Sequence, residues 1–449
     1  MWLRSVFFAG VSLLLGCAST NPKRAFGDVA RDVKARSGHD VRWTTGSEED
    51  TRTDQAINDL LGRELTADGA VQVALLASPA LRGKFEELSI AQAELVQAGL
   101  LKNPTFSIGR TAYEFDRIAP NLFASVEQDF LDIVTLPLRK RLAQTELEAT
   151  KLELADEVLE LAARVREAFY KAQALEQIVA MRRLVSETAN AAADLAKRQY
   201  AAGNMNDLDL STELALAGQF NLDRRRAEGD AAVAREDLNK LMGAWGLRSH
   251  WKTGAHLPEL PKTEPSFDHL EARAVADRPD IAAARRNVQA VASTLTLAKV
   301  TRWTGPVNVV VDAARLRSTH HVSFGGSVAL EIPLFDQRQA QIARLEALAR
   351  QNRSMLEQLA VDVRADVRAS TARVITARDI VEQYGQTVVP LRESVVRFSQ
   401  EQYDSMLIGV YQLIQAKQTE LESYRQYIEA VRDYWIARSD LERAVGRRL

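Results

Sequence analysis

The chain runs through one plan twice, over residues 70–243 and again over 271–449, and no other feature restricts its possible folds as strongly. The plan is helix, two strands, very long helix, return helix. Ser78-Pro79-Ala80-Leu81 lies against Arg278-Pro279-Asp280-Ile281, each opening an apolar-periodic helix with a proline in its first turn, where a missing amide hydrogen costs little. Pro104 matches Pro306 and Pro137 matches Pro333. Gln199-Tyr200 matches Gln402-Tyr403, and Leu238 and Gly243 match Leu441 and Gly446 at that same offset. Shared richness in Ala, Leu, Glu and Arg would not hold such a register.

The N-terminus indicates export. Arg4 precedes an apolar run from Val6 to Leu15, too short for a permanent membrane-spanning helix and of the right length for a secretory signal. Leu14-Leu15-Gly16-Cys17 resembles a lipobox, which makes residues 1–16 the signal peptide and Cys17 the acylated N-terminus of a lipid-anchored linker over 17–69. Cleavage after Ala18 by the ordinary signal peptidase is the other option. Cys17 is the one cysteine of the sequence, so no internal disulfide can form and stability has to come from packing and assembly.

Composition works by exclusion. A formal net charge of −2 leaves no basic footprint for nucleic acid, and the six histidines show no metal-ligand spacing; His320-His321 reads as a loop pair. No phosphate-cradling glycine loop and no nucleophile motif appears, so neither a catalytic residue nor a cofactor or metal site is expected.

From Pro137 to Ala202 no glycine or further proline interrupts a run of strong helix formers, which predicts a rod of roughly 100 Å. In the second half Leu356, Leu359, Val363, Val367, Val374, Ala377, Val381, Tyr384, Val388, Leu391, Val395 and Phe398 recur mostly in steps of three and four, as a coiled-coil seam requires. Gly385 and Pro390 interrupt that seam and predict a kink. Shorter helices are expected over 72–101, 205–243, 279–303 and 408–446. The hairpin tips then fall at Gly203-Asn204-Met205-Asn206 and Met406-Leu407-Ile408-Gly409.

Each half carries two strand candidates. Val322, Phe324, Val328, Leu330 and Ile332 take one face of the clearest, with Ser323, Gly325, Ser327 and Glu331 opposite; Leu122, Ala124 and Val126 oppose Ser125, Glu127 and Asp129 in the same way. This alternation suits a strand between lipid and a wet lumen, although a half-buried soluble strand would read alike. Count favours the first: four strands cannot close a wide barrel or hide their edges, whereas three chains supplying twelve can.

Signal, duplication, strand pairs and rods together resemble the TolC-type outer-membrane efflux channels, in particular their lipoprotein branch. The matching residues are Asn103-Pro104-Thr105 where the strands begin, Ile332-Pro333-Leu334-Phe335 where they end, and Tyr200-Ala201-Ala202-Gly203 at the first tip. The resemblance implies a mainly α chain with a small β part, assembled as a homotrimer with a twelve-stranded β-barrel in the outer-membrane lipid and a long α-helical barrel across the periplasm. It implies a periplasmic adaptor and an inner-membrane pump as partners, and it makes 244–270 the mid-height linker. The adaptor-docking tips would be Gly203, Asn204 and Met205 with Leu407, Ile408 and Gly409.

The second tip departs from the family pattern. Where family members carry a glycine, a locking arginine and two aspartates, this chain has Met406, Ile408, Gln412 and Gln415. Gly203 does match the tip glycine and Asp209 an acidic gate partner, with Asp207 beside it. The expected gate is therefore Asp207 and Asp209 from the first half with Gln412 and Gln415 from the second. The function expected is a passive exit duct for toxic organics or metal ions; the other class that fits is a lipid-anchored periplasmic coiled-coil scaffold that forms no channel.

Overall fold

The computed structural model describes residues 20–43, 48–111, 121–315 and 321–449. Cys17, the signal segment and His320 lie outside the described residues. The elements, in chain order, are α1 (Lys23–Ser37), α2 (Glu48–Leu61), β1 (Glu64–Leu65), α3 (Ala67–Ala77), α4 (Pro79–Ala98), β2 (Thr105–Thr111), β3 (Asn121–Asp129), α5 (Phe130–Ala201) and α6 (Asp207–Met242). They continue with a short 3-10 turn (Gly246–Ser249), β4 (Lys252–Thr253), α7 (Leu270–Asp277), α8 (Pro279–Val300), β5 (Val307–Arg315), β6 (Val322–Leu330) and α9 (Gln339–Gln383). A π-helical turn (Tyr384–Val388), α10 (Val389–Asp404) and α11 (Val410–Val445) complete the chain. Helix dominates. No helix among the described residues is long and apolar enough to cross a membrane.

The chain divides into two compact units. The first comprises residues 20–28, 85–153 and 280–359; the second comprises 29–84, 154–279 and 360–449.

In the first unit the strands form one antiparallel sheet of order β2-β3-β5-β6. β3 runs straight into α5 because the Asp129 carboxylate accepts from the amides of Leu131 and Asp132, at 3.0 and 3.3 Å, and so caps the helix. The expected start at Pro137 is thereby corrected: α5 begins at Phe130 and carries Pro137 inside its second turn. Buried Asp132 holds the corner, accepting from the Lys102 amide at 3.1 Å and pairing with Arg139 at 3.0 Å. The second half has no such cap. Ile332-Pro333-Leu334-Phe335 stays irregular and α9 starts only at Gln339, so strand β6 stops at Leu330, short of the expected Ile332.

The second unit holds the larger core. Trp251 is buried beneath the Arg235 guanidinium, 3.8 Å from the ring centre, and its indole donates to Asn239 at 2.7 Å. Short β1 pairs in parallel with β4, Glu64 to Lys252 and Leu65 to Thr253. The 244–270 segment is anchored rather than loose: Gln173 donates to the carbonyls of Gly254 and His256, and Gln177 accepts from the Leu257 amide. Farther along, Glu264 accepts from Arg378 and Arg438 at 3.1 Å each, and from the Tyr434 hydroxyl. Burial and that carboxylate push the Tyr434 pKa up to about 12.

Three further expectations gain detail, and the second of them is corrected. The 17–69 linker contains helices α1 and α2, whose mixed polar composition hid a buried stripe of Ala25, Val29, Val33 and Ile57. The 72–101 helix is two, because Ser78 precedes Pro79 and is pushed to ψ 118, out of the helical region. Arg278 before Pro279 repeats the break with ψ 133. At each break a left-handed glycine closes the neighbouring helix: a Cβ on Gly243 would meet Pro79 at 2.9 Å, and one on Gly446 would meet Arg278 at 2.9 Å. Finally, the interruption at Gly385 and Pro390 is a π-helical turn, with Gly385 leaving room for the Tyr427 ring.

Candidate functional site

Two sets of residues carry the functional reading, the hairpin tips of the second unit and the sheet of the first. At the first tip α5 ends in a Schellman closure: the Gly203 amide donates to the Tyr200 carbonyl and the Asn204 amide to Gln199, each at 2.9 Å, with Gly203 at φ 78. Two residues on, Asn206 caps α6 by accepting from the Asp209 amide at 2.8 Å, while its own side-chain amide donates to the Asp209 carboxylate at 2.8 Å. Asp207 and Asp209 both sit in the first turn, where the helix dipole favours negative charge. Asp207 bonds the Tyr200 hydroxyl and raises its pKa.

The second tip repeats the closure with different residues. The Met406 amide donates to Tyr403 and the Leu407 amide to Gln402, each at 2.9 Å, so Met406 occupies the left-handed position, φ 58, that glycine holds in the first tip. Gly409 precedes α11 with no side-chain cap. Met406 is 93% exposed and Leu407 74%, which makes the second tip an apolar point. Asn204, Met205 and Ile408 lie at the same ends, Met205 and Ile408 half-buried and Asn204 exposed.

Of the expected gate residues, Asp209 is tied to the second hairpin, through a residue the sequence reading missed. The Tyr411 hydroxyl, on the first turn of α11, donates to Asp209 at 3.3 Å and lies 3.3 Å from the Thr212 hydroxyl. Gln412 and Gln415 are exposed on α11. Position gave the only available signal for Tyr411: it stands two residues after Gly409, at a helix start facing another helix start. Among the described residues no group of three or more metal-ligating side chains occurs.

The sheet separates polarity by face, as its register shows. One face carries the cross-strand rows Phe106–Val126–Val311–Gly326 and Ile108–Ala124–Ala313–Phe324, continued by Val309–Val328 and Val307–Leu330. The other carries Ser107–Ser125–Asp312–Gly325 and Thr105–Glu127–Val310–Ser327, with Asp129 and Asn308 below. Ile108 is 71% exposed and Phe324 82%, so the apolar face is uncovered in the single chain. Among the described residues β2 and β6 are both open edges.

No family model matches the chain. Over 403 residues it is 21% identical to the cobalt-zinc-cadmium resistance protein CzcC of Cupriavidus metallidurans, covering 85% of this chain and 90% of CzcC. Among solved structures, CusC, described in terms of folding and transmembrane channel formation, superposes with a TM-score of 0.70 at 15% identity over 85% of this chain and 92% of its own. The outer-membrane protein VceC of Vibrio cholerae superposes with a TM-score of 0.69 at 16% identity, covering 89% of this chain and 97% of VceC. The chain has the fold of the TolC-type outer-membrane efflux channels.

Proposed function

We propose that this chain is one protomer of a trimeric outer-membrane exit duct, a passive conduit completed by a periplasmic adaptor and an inner-membrane pump. The observation that carries the reading is the four-stranded sheet, with one face apolar between its two ends and, among the described residues, two unpaired edges. A sheet this small leaves both edge ladders open to solvent and its apolar face bare, and closure with two further copies into twelve strands in a bilayer satisfies both. Residues 70–243 and 271–449 are then duplicated halves joined by 244–270, and Cys17 is the acylated anchor. Native mass measurement of the purified chain in mild detergent should give three copies and planar bilayers should show conductance; a stable, non-conducting monomer would favour the periplasmic scaffold. Palmitate labelling of wild type and Cys17→Ala tests the anchor separately.

Cargo and docking follow from different residues. The likeness to CzcC supports heavy-metal cations over organic toxicants, so deletion of the gene should sensitise cells to cobalt, zinc or cadmium before it sensitises them to drugs. The tips dock the adaptor end-on, through the short loop at Gly203 and the apolar point at Met406 and Leu407. Gly203→Trp and Gly409→Trp should abolish efflux while the trimer persists. Normal resistance in both variants would reduce the tips to turns.

A further inference from the structure

The sheet holds two basic residues among its described strands, and its register places both in one row. Arg110 on β2, Leu122 on β3, Arg315 on β5 and Val322 on β6 are directly paired across the four strands, so their side chains share a face. That face is the apolar one. Every other position on it is apolar or glycine, apart from Gln128 at the opposite end, whereas the acidic Glu127, Asp129 and Asp312 all stand on the polar face. The arginine row ends the strands on the side away from α5 and α9. At the helix side of the same strands Phe130, Trp303 and Phe335 are exposed, as interfacial aromatic anchors are.

We propose that Arg110 and Arg315 form a binding site for the phosphate groups of lipid headgroups in the outer leaflet, at the rim of the barrel. The proposal rests on the outer-membrane reading above, because it needs the apolar face to meet lipid. An arginine on a lipid-facing strand is strongly unfavourable at the bilayer midplane and costs close to nothing at the interface, so a row of arginines at one end of an apolar face marks the level of the headgroups. From Val307 to Arg315 strand β5 spans about 26 Å at ~3.3 Å per residue, or about 20 Å along the membrane normal at a tilt of about 40°, which puts the arginine row near the edge of an apolar band roughly 25 Å tall and not at its middle. Two strands apart, Arg110 and Arg315 are separated at the backbone by about 10 Å, within reach of one headgroup from both sides. At the interface a long basic side chain lays its aliphatic stem along the apolar surface and keeps its head in water, where a planar guanidinium with paired donors matches phosphate better than a point charge does. In a closed trimer the row repeats three times and makes a basic belt facing lipid, opposite in sign to the Asp312 level inside.

The test uses the full chain reconstituted in phosphatidylcholine nanodiscs containing a minor fraction of lipid A or its dephosphorylated form, with lipid retention read by native mass spectrometry. The wild type should retain the phosphorylated glycolipid preferentially. Arg110→Gln with Arg315→Gln should weaken that retention roughly thirtyfold, leave the dephosphorylated lipid unaffected, and conduct normally in neutral bilayers. Arg110→Lys with Arg315→Lys should keep part of the preference. Equal retention of both lipids by the wild type overturns the proposal whatever the variants do, and so does undiminished retention by the glutamine pair. A wild type that inserts into no bilayer overturns the outer-membrane reading itself, a distinguishable result.

Discussion

The two hairpins use the same closure and finish it with different chemistry. In the first, a glycine takes the left-handed position, an asparagine caps the next helix, and two aspartates occupy its opening turn. In the second, methionine takes the left-handed position, the following helix has no side-chain cap, and the opening turn presents Tyr411. The incoming helices differ in the same sense. α5 runs 72 residues without interruption, whereas the second passes through a π turn at Tyr384–Val388 before reaching its tip. One hairpin is locally satisfied; the other leans on its neighbour through the Tyr411–Asp209 bond and stores a bulge upstream. A two-state element would be built from the second kind of hairpin, since local opening draws on the least self-sufficient parts of a fold.

The largest effect expected from this contrast is a register effect. A π turn accommodates one extra residue in an α-helix while the flanking faces keep their alignment, so removing one exposed residue from it restores an ordinary helix. Deleting Gln386 should therefore leave a trimer that conducts and supports efflux. Deleting Glu187 from α5 has no such reserve: everything beyond it rotates by about 100°, which carries buried Ala193 and Ala196 out of their packing. That variant should fail to assemble. Equal tolerance of the two deletions, read by native mass and resistance, would show that the first rod is as adaptable as the second.

How much of this was legible in the sequence follows the range of the forces involved. Period-two alternation around Val322–Leu330 and Leu122–Val126 announced strands and the face each residue takes, because a strand's pattern is set by its immediate surroundings. The rods and both tips were legible for a similar reason, with Gly203 and the Pro390 break as local punctuation. What stayed hidden depends on partners distant in the chain. Helices α1 and α2 bury only sparse stripes that composition read as linker. Asp129 overrides Pro137 as the start of α5 by supplying a cap. Tyr411 gains its role by meeting Asp209, 202 positions away. Even Arg110 and Arg315 are unremarked arginines until the strand register puts them in one row.

Next in size is the proposed gate, where the contrast is between charge and hydrogen bonding. If the first tip supplies the ring of charge, Asp207→Asn with Asp209→Asn should weaken cation selectivity in planar bilayers by several-fold, whereas Gln412→Ala or Gln415→Ala should alter mainly the conductance. Tyr411→Phe removes one neutral-to-charged hydrogen bond of about 1.5–3 kcal/mol at most, discounted here for solvent exposure, and should raise the fraction of time spent open without changing selectivity. Selectivity that moves with Tyr411 rather than with the aspartates would reverse the assignment and make the second hairpin the filter.

The smallest effect lies at the left-handed positions themselves. A non-glycine residue there costs roughly 1–2 kcal/mol in the folded chain, while glycine costs about 0.5–1 kcal/mol more than other residues in the unfolded one. Met406→Gly should consequently be neutral to slightly stabilising, within about 1 kcal/mol per chain, even though it removes an apolar side chain from the proposed docking point. Gly203→Ala should destabilise the first tip by a similar amount, since φ 78 then acquires the strain that Met406 already carries. Thermal unfolding of the two variants in detergent gives the signs directly. Efflux separates stability from docking, because Met406→Gly should lose transport while holding or gaining melting temperature. If that variant instead transports normally, the methionine is a tolerated strain and Leu407 alone forms the apolar point.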